Sequence, residues 1–177
     1  MKPKKCKECG DKFCPQRPLQ FLCSPKCAIE YGKKQKAKSW AKEKKQIKDK
    51  LMTRTEWLKC LQIVFNSYIR KRDEKRACIS CGAVCGGLNK SQAGHFMAVG
   101  SYPNLRFNED NCHSQCVHCN LHLHGNVHEY EIGLIKRIGK VRFNALLILR
   151  NKELKLSLDQ IKDLIKEYKQ KIKTLSK

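Results

Sequence analysis

Apolar residues recur at helical spacing in three stretches, and cysteine pairs and turn-formers fill the intervals. Trp57, Leu61, Val64 and Tyr68, supported by Leu58 and Phe65, fall at i, i+4, i+7 and i+11. That stripe predicts a packed helix over residues 54–72. Cys60 lies on it and reads as a small buried hydrophobe. A second helix is predicted over 127–138, stopped by Gly139. A third starts at Ser157, whose hydroxyl caps it, with Gln160 three residues on as a capping box. Its apolar face is Ile161, Leu164, Ile165, Tyr168, Ile172 and Leu175, fit either to pack on the body of the protein or to meet a partner helix. Residues 28–50 are different: rich in Lys, Gln, Ala and Glu, without proline and with few apolar positions. They predict an exposed basic helix.

The longest apolar run, Ala145 to Leu149, is far too short to span a bilayer, and the charged first residues do not resemble a secretory signal. Charge narrows the partners further. The 177 residues carry 38 Lys and Arg against 16 acids, a formal +22. Residues 1–60 hold +12 of it, residues 61–125 only +3 and residues 126–177 +7. Basic flanks around a nearly balanced middle suit a phosphate backbone held on either side of a chemical module. A single lysine is read as a solvated helix face; the collective excess is what points to nucleic acid.

The middle and the N-terminus are where the twelve cysteines gather. Spacings of C-x2-C and C-x3-C, in fours and without an export signal, favour zinc over a disulfide framework. Cys6 and Cys9 are separated from Cys23 and Cys27 by thirteen residues containing Pro15 and Pro18, which predicts a small zinc ribbon or treble-clef finger. Cys14 reads as a bystander. A second bracket, Cys78 and Cys81 with Cys116 and Cys119, encloses thirty-four residues. Cys85 and Cys112 leave open a different choice of four thiolates there. Two four-cysteine zinc sites would lower the formal charge to about +18, which leaves the electrostatic reading intact.

Inside the second bracket lie Ala93-Gly94-His95-Phe96, preceded by the turn-rich Cys85-Gly86-Gly87, and then Arg106-Phe107-Asn108-Glu109-Asp110-Asn111. The second knuckle runs straight into Asn120-Leu121-His122-Leu123-His124-Gly125-Asn126. Zinc would pin a β-hairpin to the start of a helix, and Asn120 and His124, four apart, would share one face of it. Hydrolysis of a phosphodiester needs a base for water, a group that orients the base, and a divalent ion to neutralise charge. At these residues the chain resembles the HNH, or ββα-metal, endonucleases. More specifically it is similar to the NinG (Rap) recombination proteins of lambdoid bacteriophages over nearly its whole length. The residues that carry the likeness are the N-terminal cysteines, Ile69-Arg70-Lys71-Arg72-Asp73, Gly94-His95-Phe96, Arg106-Phe107, Gln115-Cys116-x2-Cys119-Asn120 and Gly125-Asn126.

The resemblance implies His95 as general base, Asn111 as the residue that orients it, Asn120 and His124 as ligands of a catalytic Mg²⁺ or Mn²⁺, and Cys78, Cys81, Cys116 and Cys119 as structural zinc ligands. Broad HNH patterns place Asp or His directly before the base; here Gly94 stands in that position, so His95 itself, His113, His118 or His122 could complete the shell. Arg70 and Arg72, beside Asp73 at a helix end, read as phosphate contacts. Arg106 reads either as a phosphate ligand or as an ion-pair partner of Glu109 or Asp110, and His128 as structural.

The fold expected is α+β and mainly helical. An N-terminal four-cysteine knuckle (1–32) and a basic helical segment (33–73) precede an HNH-like zinc core (74–128), and C-terminal helices (129–177) follow. The function the resemblance implies is metal-dependent cutting of branched recombination intermediates such as Holliday junctions and D-loops, in the cytoplasm of an infected bacterium. The partners are then branched DNA, other phage recombination proteins and, for symmetric cutting, a second copy of the chain; no membrane is involved. The competing reading is a non-catalytic zinc module that binds DNA and recruits recombination factors. Nothing such as an aromatic RNP motif supports an RNA-binding role.

Overall fold

The computed structural model describes residues 2–85, 91–153 and 155–176, so Gly86 and Gly87 of the expected turn lie outside the described residues. The chain forms two compact units, Met1–Met52 and Thr53–Lys177. The division falls inside the basic segment expected over 33–73. The basic helix belongs with the N-terminal cysteines, and the packed helix after it belongs with the rest of the chain.

In the first unit, strands β1 (Lys4–Lys5) and β2 (Lys12–Phe13) pair antiparallel, Lys4 opposite Phe13. Helix α1 (Pro25–Leu51) starts three residues earlier than the composition suggested, because Ser24 caps it and Pro25 occupies its first turn. Cys27 therefore sits on a helix. Phe21 meets Tyr31 edge-on at 5.6 Å, and Glu8 pairs with Lys34. Beyond that anchorage α1 buries no residue, and positions 33–48 are all exposed.

In the second unit, helix α2 (Arg54–Arg72) opens on a capping box between Thr53 and Glu56. Its buried face is Leu61, Phe65, Tyr68 and Ile69. The C-terminal helix α4 (Leu158–Leu175) has the expected Ser157–Gln160 capping box and buries Ile161, Ile165 and Tyr168 against α2. The apolar face of α4 is thus a packing face, with Leu175 at its exposed end. Tyr168 lies 5.1 Å from both Phe65 and Tyr68, close enough for aromatic pairing to add to area burial.

Strands β3 (Ser91–His95) and β4 (Cys112–Cys116) form an antiparallel pair with Gly94 opposite His113 and His95 opposite Cys112. Alternation puts Ala93, His95 and Cys112 on the face that meets the α2–α4 core. Gly94, His113 and Gln115 take the other face, towards helix α3 (Val127–Leu149). The second core joins Ile79, Met97 and Leu105 to Tyr130, Leu134, Phe143 and Leu146 of α3.

Gly139 does not end α3 as expected. It adopts φ 81° and ψ 158°, a break that glycine permits, and the chain then resumes a helix to Leu149. Phe143 and Leu146 drive the resumption, because their burial closes the second core. The C-terminal region therefore holds three helical stretches rather than two. Among the described residues, no helix is long and apolar enough to cross a membrane.

Candidate metal centres and the histidine strand

Both predicted cysteine brackets close. Cys6, Cys9, Cys23 and Cys27 bring their sulfurs within 4.8 Å of one another, and so do Cys78, Cys81, Cys116 and Cys119. Sulfurs at about 2.3 Å from a tetrahedral Zn²⁺ stand about 3.8 Å apart. The Cys9–Cys23 and Cys23–Cys27 separations are 3.5 Å, and Cys81–Cys116 is 3.8 Å, far beyond the disulfide bond length of about 2.05 Å. Backbone amides point at the sulfurs: Cys23 N donates to Cys6 Sγ at 3.4 Å, Cys116 N to Cys78 Sγ at 3.3 Å, and Cys119 N to Cys116 Sγ at 3.4 Å. Burial pushes the Cys6 and Cys78 thiols up, but such N–H donors outweigh it and bring them to about 6 and about 7. The Asp11 N–H pulls the Cys9 thiol down, but neighbouring thiols outweigh it and push Cys9 up; neighbouring thiols push Cys23 up too, and burial pushes Cys81 and Cys119 up. Four sulfurs at tetrahedral spacing with amide donors, which a bound Zn²⁺ would deprotonate, are the donor set zinc requires, and both clusters fit it.

The remaining cysteines divide by burial. Cys14 is exposed, Cys60 lies half-buried beside the α2–α4 core, and Cys85 packs against the second cluster without joining it. Cys112 is wholly buried beneath His95, and burial drives its thiol far above the ordinary range. The second cluster therefore uses the four cysteines the bracket suggested.

His95 ends β3 with its ring half-buried. Its Nε2 is 3.0 Å from the Arg106 carbonyl, its Nδ1 is 3.8 Å from Cys112 Sγ, and the Phe65 ring centroid is 6.3 Å away. Burial pulls its pKa below the ordinary imidazole value, which keeps the ring neutral at pH 7. A carbonyl can only accept, so Nε2 carries the proton and Nδ1 the lone pair.

Through its side chain Asn111 makes no described hydrogen bond to His95. It is wholly buried, and its amide group accepts from Met97 N at 2.8 Å and donates to Met97 O and Leu105 O. It staples the loop that presents the Arg106 carbonyl, so its hold on His95 passes through the backbone.

The segment after the second knuckle departs from expectation. Residues His118–His122 form a single π-helical turn, with Leu123 N bonded to His118 O. His124, Gly125 and Asn126 then follow with φ of 50°, 93° and 41°. Asn120 and His124 consequently do not share a face of one α-helix; the regular helix begins only at Val127. The π turn wraps Cys119 into its cluster, and the left-handed residues reverse the chain. Such residues cost about 1–2 kcal/mol apiece for non-glycines. Gln115 Nε2 on the Gly125 carbonyl and Asn126 Nδ2 on Cys119 Sγ hold them in place. No described hydrogen bond, ring contact or metal-type cluster joins His95 to Asn120 or His124. His118, His122, His124 and His128 are exposed, and the first two rings stand 5.9 Å apart.

Gly94, the departure from broad HNH patterns, has a steric reason. A Cβ there would collide with Gln115 Oε1 and lie 3.0 Å from Gln115 Cβ. Gln115 is wholly buried, and its Nε2 donates to Ser80 Oγ and Gly125 O. Its Oε1 has no hydrogen-bond partner and faces the glycine. The volume an acidic side chain would need is occupied by the amide that fixes the π-turn loop.

The arginines separate as well. Arg70 is exposed with no described partner. Arg72 is committed to the fold: it binds Asp73 at 2.8 Å, the Glu109 and Cys112 carbonyls, and His113 Nδ1 at 2.9 Å. Arg106 pairs with neither Glu109 nor Asp110. Its Nε donates to Gln62 Oε1, and its guanidinium lies over Phe107.

A buried network that spacing did not reveal surrounds Asp73, which is 1% exposed at the end of α2. Burial alone would raise its carboxyl. The His113 ring, the Arg72 guanidinium and the Ser114 N–H outweigh that and hold it well below the usual carboxylate range. The sequence shows only the polar run His113, Ser114 and Gln115 between two cysteines; the fold buries all five residues of β4. Buried polar residues require partners.

In class this is an α+β, mainly helical protein with two four-cysteine clusters, the second of which pins a two-stranded hairpin bearing a neutral histidine. The chain belongs to the NinG family: the family described as Bacteriophage Lambda NinG protein matches residues 1–177. It is 34% identical to Protein ninG of Escherichia phage lambda over 192 residues, covering 97% of this chain and 93% of that protein. It is 33% identical to Protein ninG of Salmonella phage P22 and of Escherichia phage 933W, with the same coverage. No solved structure matches it.

Proposed function

We propose that this phage protein is a metal-dependent endonuclease of the HNH type that cuts branched DNA recombination intermediates in the host cytoplasm, with His95 as general base. The observation that carries the reading is the fixed tautomer of His95: a neutral ring anchored at Nε2 by the Arg106 carbonyl, on a strand pinned by a cysteine cluster. Its Nδ1, 3.8 Å from Cys112 Sγ in this conformation, would exchange that contact for a water and take its proton as the water oxygen bonds to phosphorus. The ester P–O bond then breaks, and the leaving oxygen is protonated by solvent. Mg²⁺ or Mn²⁺ would neutralise charge on the phosphate, with Asn120 and His124 as its protein ligands. Arg70 and Arg106 would hold the backbone, and symmetric cutting of a four-way junction would take two copies of the chain.

A second reading is a non-catalytic zinc module that binds DNA and recruits recombination factors. Two four-cysteine clusters and a formal charge of +22 would serve such a module equally well.

Cleavage of a labelled four-way junction and D-loop in Mg²⁺ or Mn²⁺ separates the two. Wild type should cut, and His95→Ala should lose at least about 100-fold in rate while binding changes less than about twofold. Tight binding without cutting by zinc-loaded wild type would replace the nuclease with the binding module.

A further inference from the structure

Between the first turns of α2 and α4 and the loop after β3 lies a cavity of about 420 Å³. Its walls include Leu58, Phe107 and Leu164, half-buried apolar side chains that pack on the α2–α4 core. Two guanidinium groups and two amides border it. Arg54 spends Nε and Nη2 on the Leu156 carbonyl, leaving Nη1 without a described partner. Arg106 spends only Nε, on Gln62, leaving both terminal nitrogens.

The amides are half-used in complementary ways. Asn104 donates through Nδ2 to the Leu149 carbonyl and retains Oδ1 as an acceptor. Asn108 accepts through Oδ1 from the amides of Asp110 and Asn111 and retains Nδ2 as a donor. An apolar wall with an aromatic ring, one spare donor, one spare acceptor and two cations answers the parts of a nucleotide: a flat base with a polar edge, and a phosphate. The size lies within the range of small-molecule sites, about 300–1,000 Å³. The cavity also adjoins the histidine strand, because the Arg106 carbonyl is the group that His95 binds.

We propose that this cavity receives one unpaired nucleotide of a DNA substrate. The proposal rests on the reading of the protein as one that acts on branched DNA, and it supplies the selectivity. A base stacked and paired in a duplex cannot enter, whereas a base freed at a branch point can. Seating it would fix the phosphate next to it between Arg54 and Arg106, on the His95 side of the loop.

The test uses the full, zinc-loaded chain without added Mg²⁺ or Mn²⁺, so that binding is read whether or not the protein cuts. The probes are a blunt two-strand duplex with a single bulged 2-aminopurine and the same blunt duplex fully paired. Wild type should bind the bulged probe about tenfold more tightly, with quenching of the 2-aminopurine emission as it stacks. Leu58→Trp, which fills the cavity, should bring the two affinities within about twofold while leaving that for the paired duplex unchanged. Arg54→Ala should narrow the preference, with helicity and zinc content measured alongside because the side chain also holds the Leu156 carbonyl. Equal affinities in wild type would overturn the proposal, as would a preference that survives Leu58→Trp with zinc content and helicity intact. A free deoxynucleoside monophosphate competing as well as the bulged DNA would assign the cavity to a soluble nucleotide and also overturn it. Cutting without a bulge preference would remove the cavity's role and leave the nuclease; a bulge preference without cutting would do the reverse.

Discussion

Replacing Gly94 by alanine adds a single methyl group where Gln115 leaves no room for one. The Cβ would collide with Gln115 Oε1 and stand 3.0 Å from its Cβ and 3.1 Å from its Cδ, so Gln115 must move. Gln115 is wholly buried and cannot swing into solvent. Moving it breaks the bonds from Nε2 to Ser80 Oγ (2.8 Å) and Gly125 O (2.5 Å). Overpacking costs about 1–3 kcal/mol, and leaving the buried Gln115 amide nitrogen unpaired costs about 1–3 kcal/mol more. The sum, about 2–6 kcal/mol, is a large share of the roughly 5–15 kcal/mol that stabilises an ordinary domain. Urea unfolding with Trp40 replaced by Phe isolates the fluorescence of Trp57, which belongs to the second unit. With m of about 1–3 kcal/mol/M, the midpoint should fall by about 0.7 M or more at unchanged slope. Gln115→Ala in the same chain removes the obstruction, so the double variant should be more stable than the two single losses added together. A Gly94→Ala midpoint within error of wild type, or strict additivity with Gln115→Ala, would refute the packing argument. Gly94→Asp, which would restore the acid of broad HNH patterns, meets the same obstruction.

Acid should unfasten the Asp73 network. The folded pKa of Asp73 lies below its unfolded value, so its stabilisation is complete above about pH 4 and is lost as pH falls through the folded pKa. His113 is also depressed, first by burial, so the preference of the fold for its neutral form is present above about pH 6.5 and declines below it. Asp73→Asn should therefore cost about 3–5 kcal/mol at pH 7, with the gap to wild type starting to narrow below about pH 4 in urea titrations at each pH; a gap that stays constant down to about pH 2 would contradict the assignment. Zinc content should be two per chain by metal analysis, falling to one in Cys9→Ser and in Cys81→Ser, each variant losing its own cluster and keeping the other. Loss of both metals from either variant would show that the clusters are not independent.

Local rules made much of the architecture legible. The α2 stripe and the two capping boxes depend on residues three or four apart, so α2 and the start of α4 fell where the spacing placed them. The cysteine brackets were legible because zinc ligands arrive as knuckle pairs, and both clusters close with the residues those pairs named. Gly139 shows the limit of local reading: its break was visible, but the helix beyond it exists because Phe143 and Leu146 have a core to enter.

The sequence by itself thus determined α2, the start of α4, the two sulfur clusters and the family, all of which follow from short-range spacing or motifs. Only the tertiary structure decided what surrounds His95. Its partners, Phe65, Arg106 and Cys112, come from three separate segments. The same holds for Arg72, which looked like a phosphate contact and is consumed by Asp73, His113 and two carbonyls. It holds too for Gly94, whose reason is a glutamine twenty-one positions away. Burial and hydrogen-bond satisfaction are set by which surfaces meet in space, and no spacing along the chain encodes that directly.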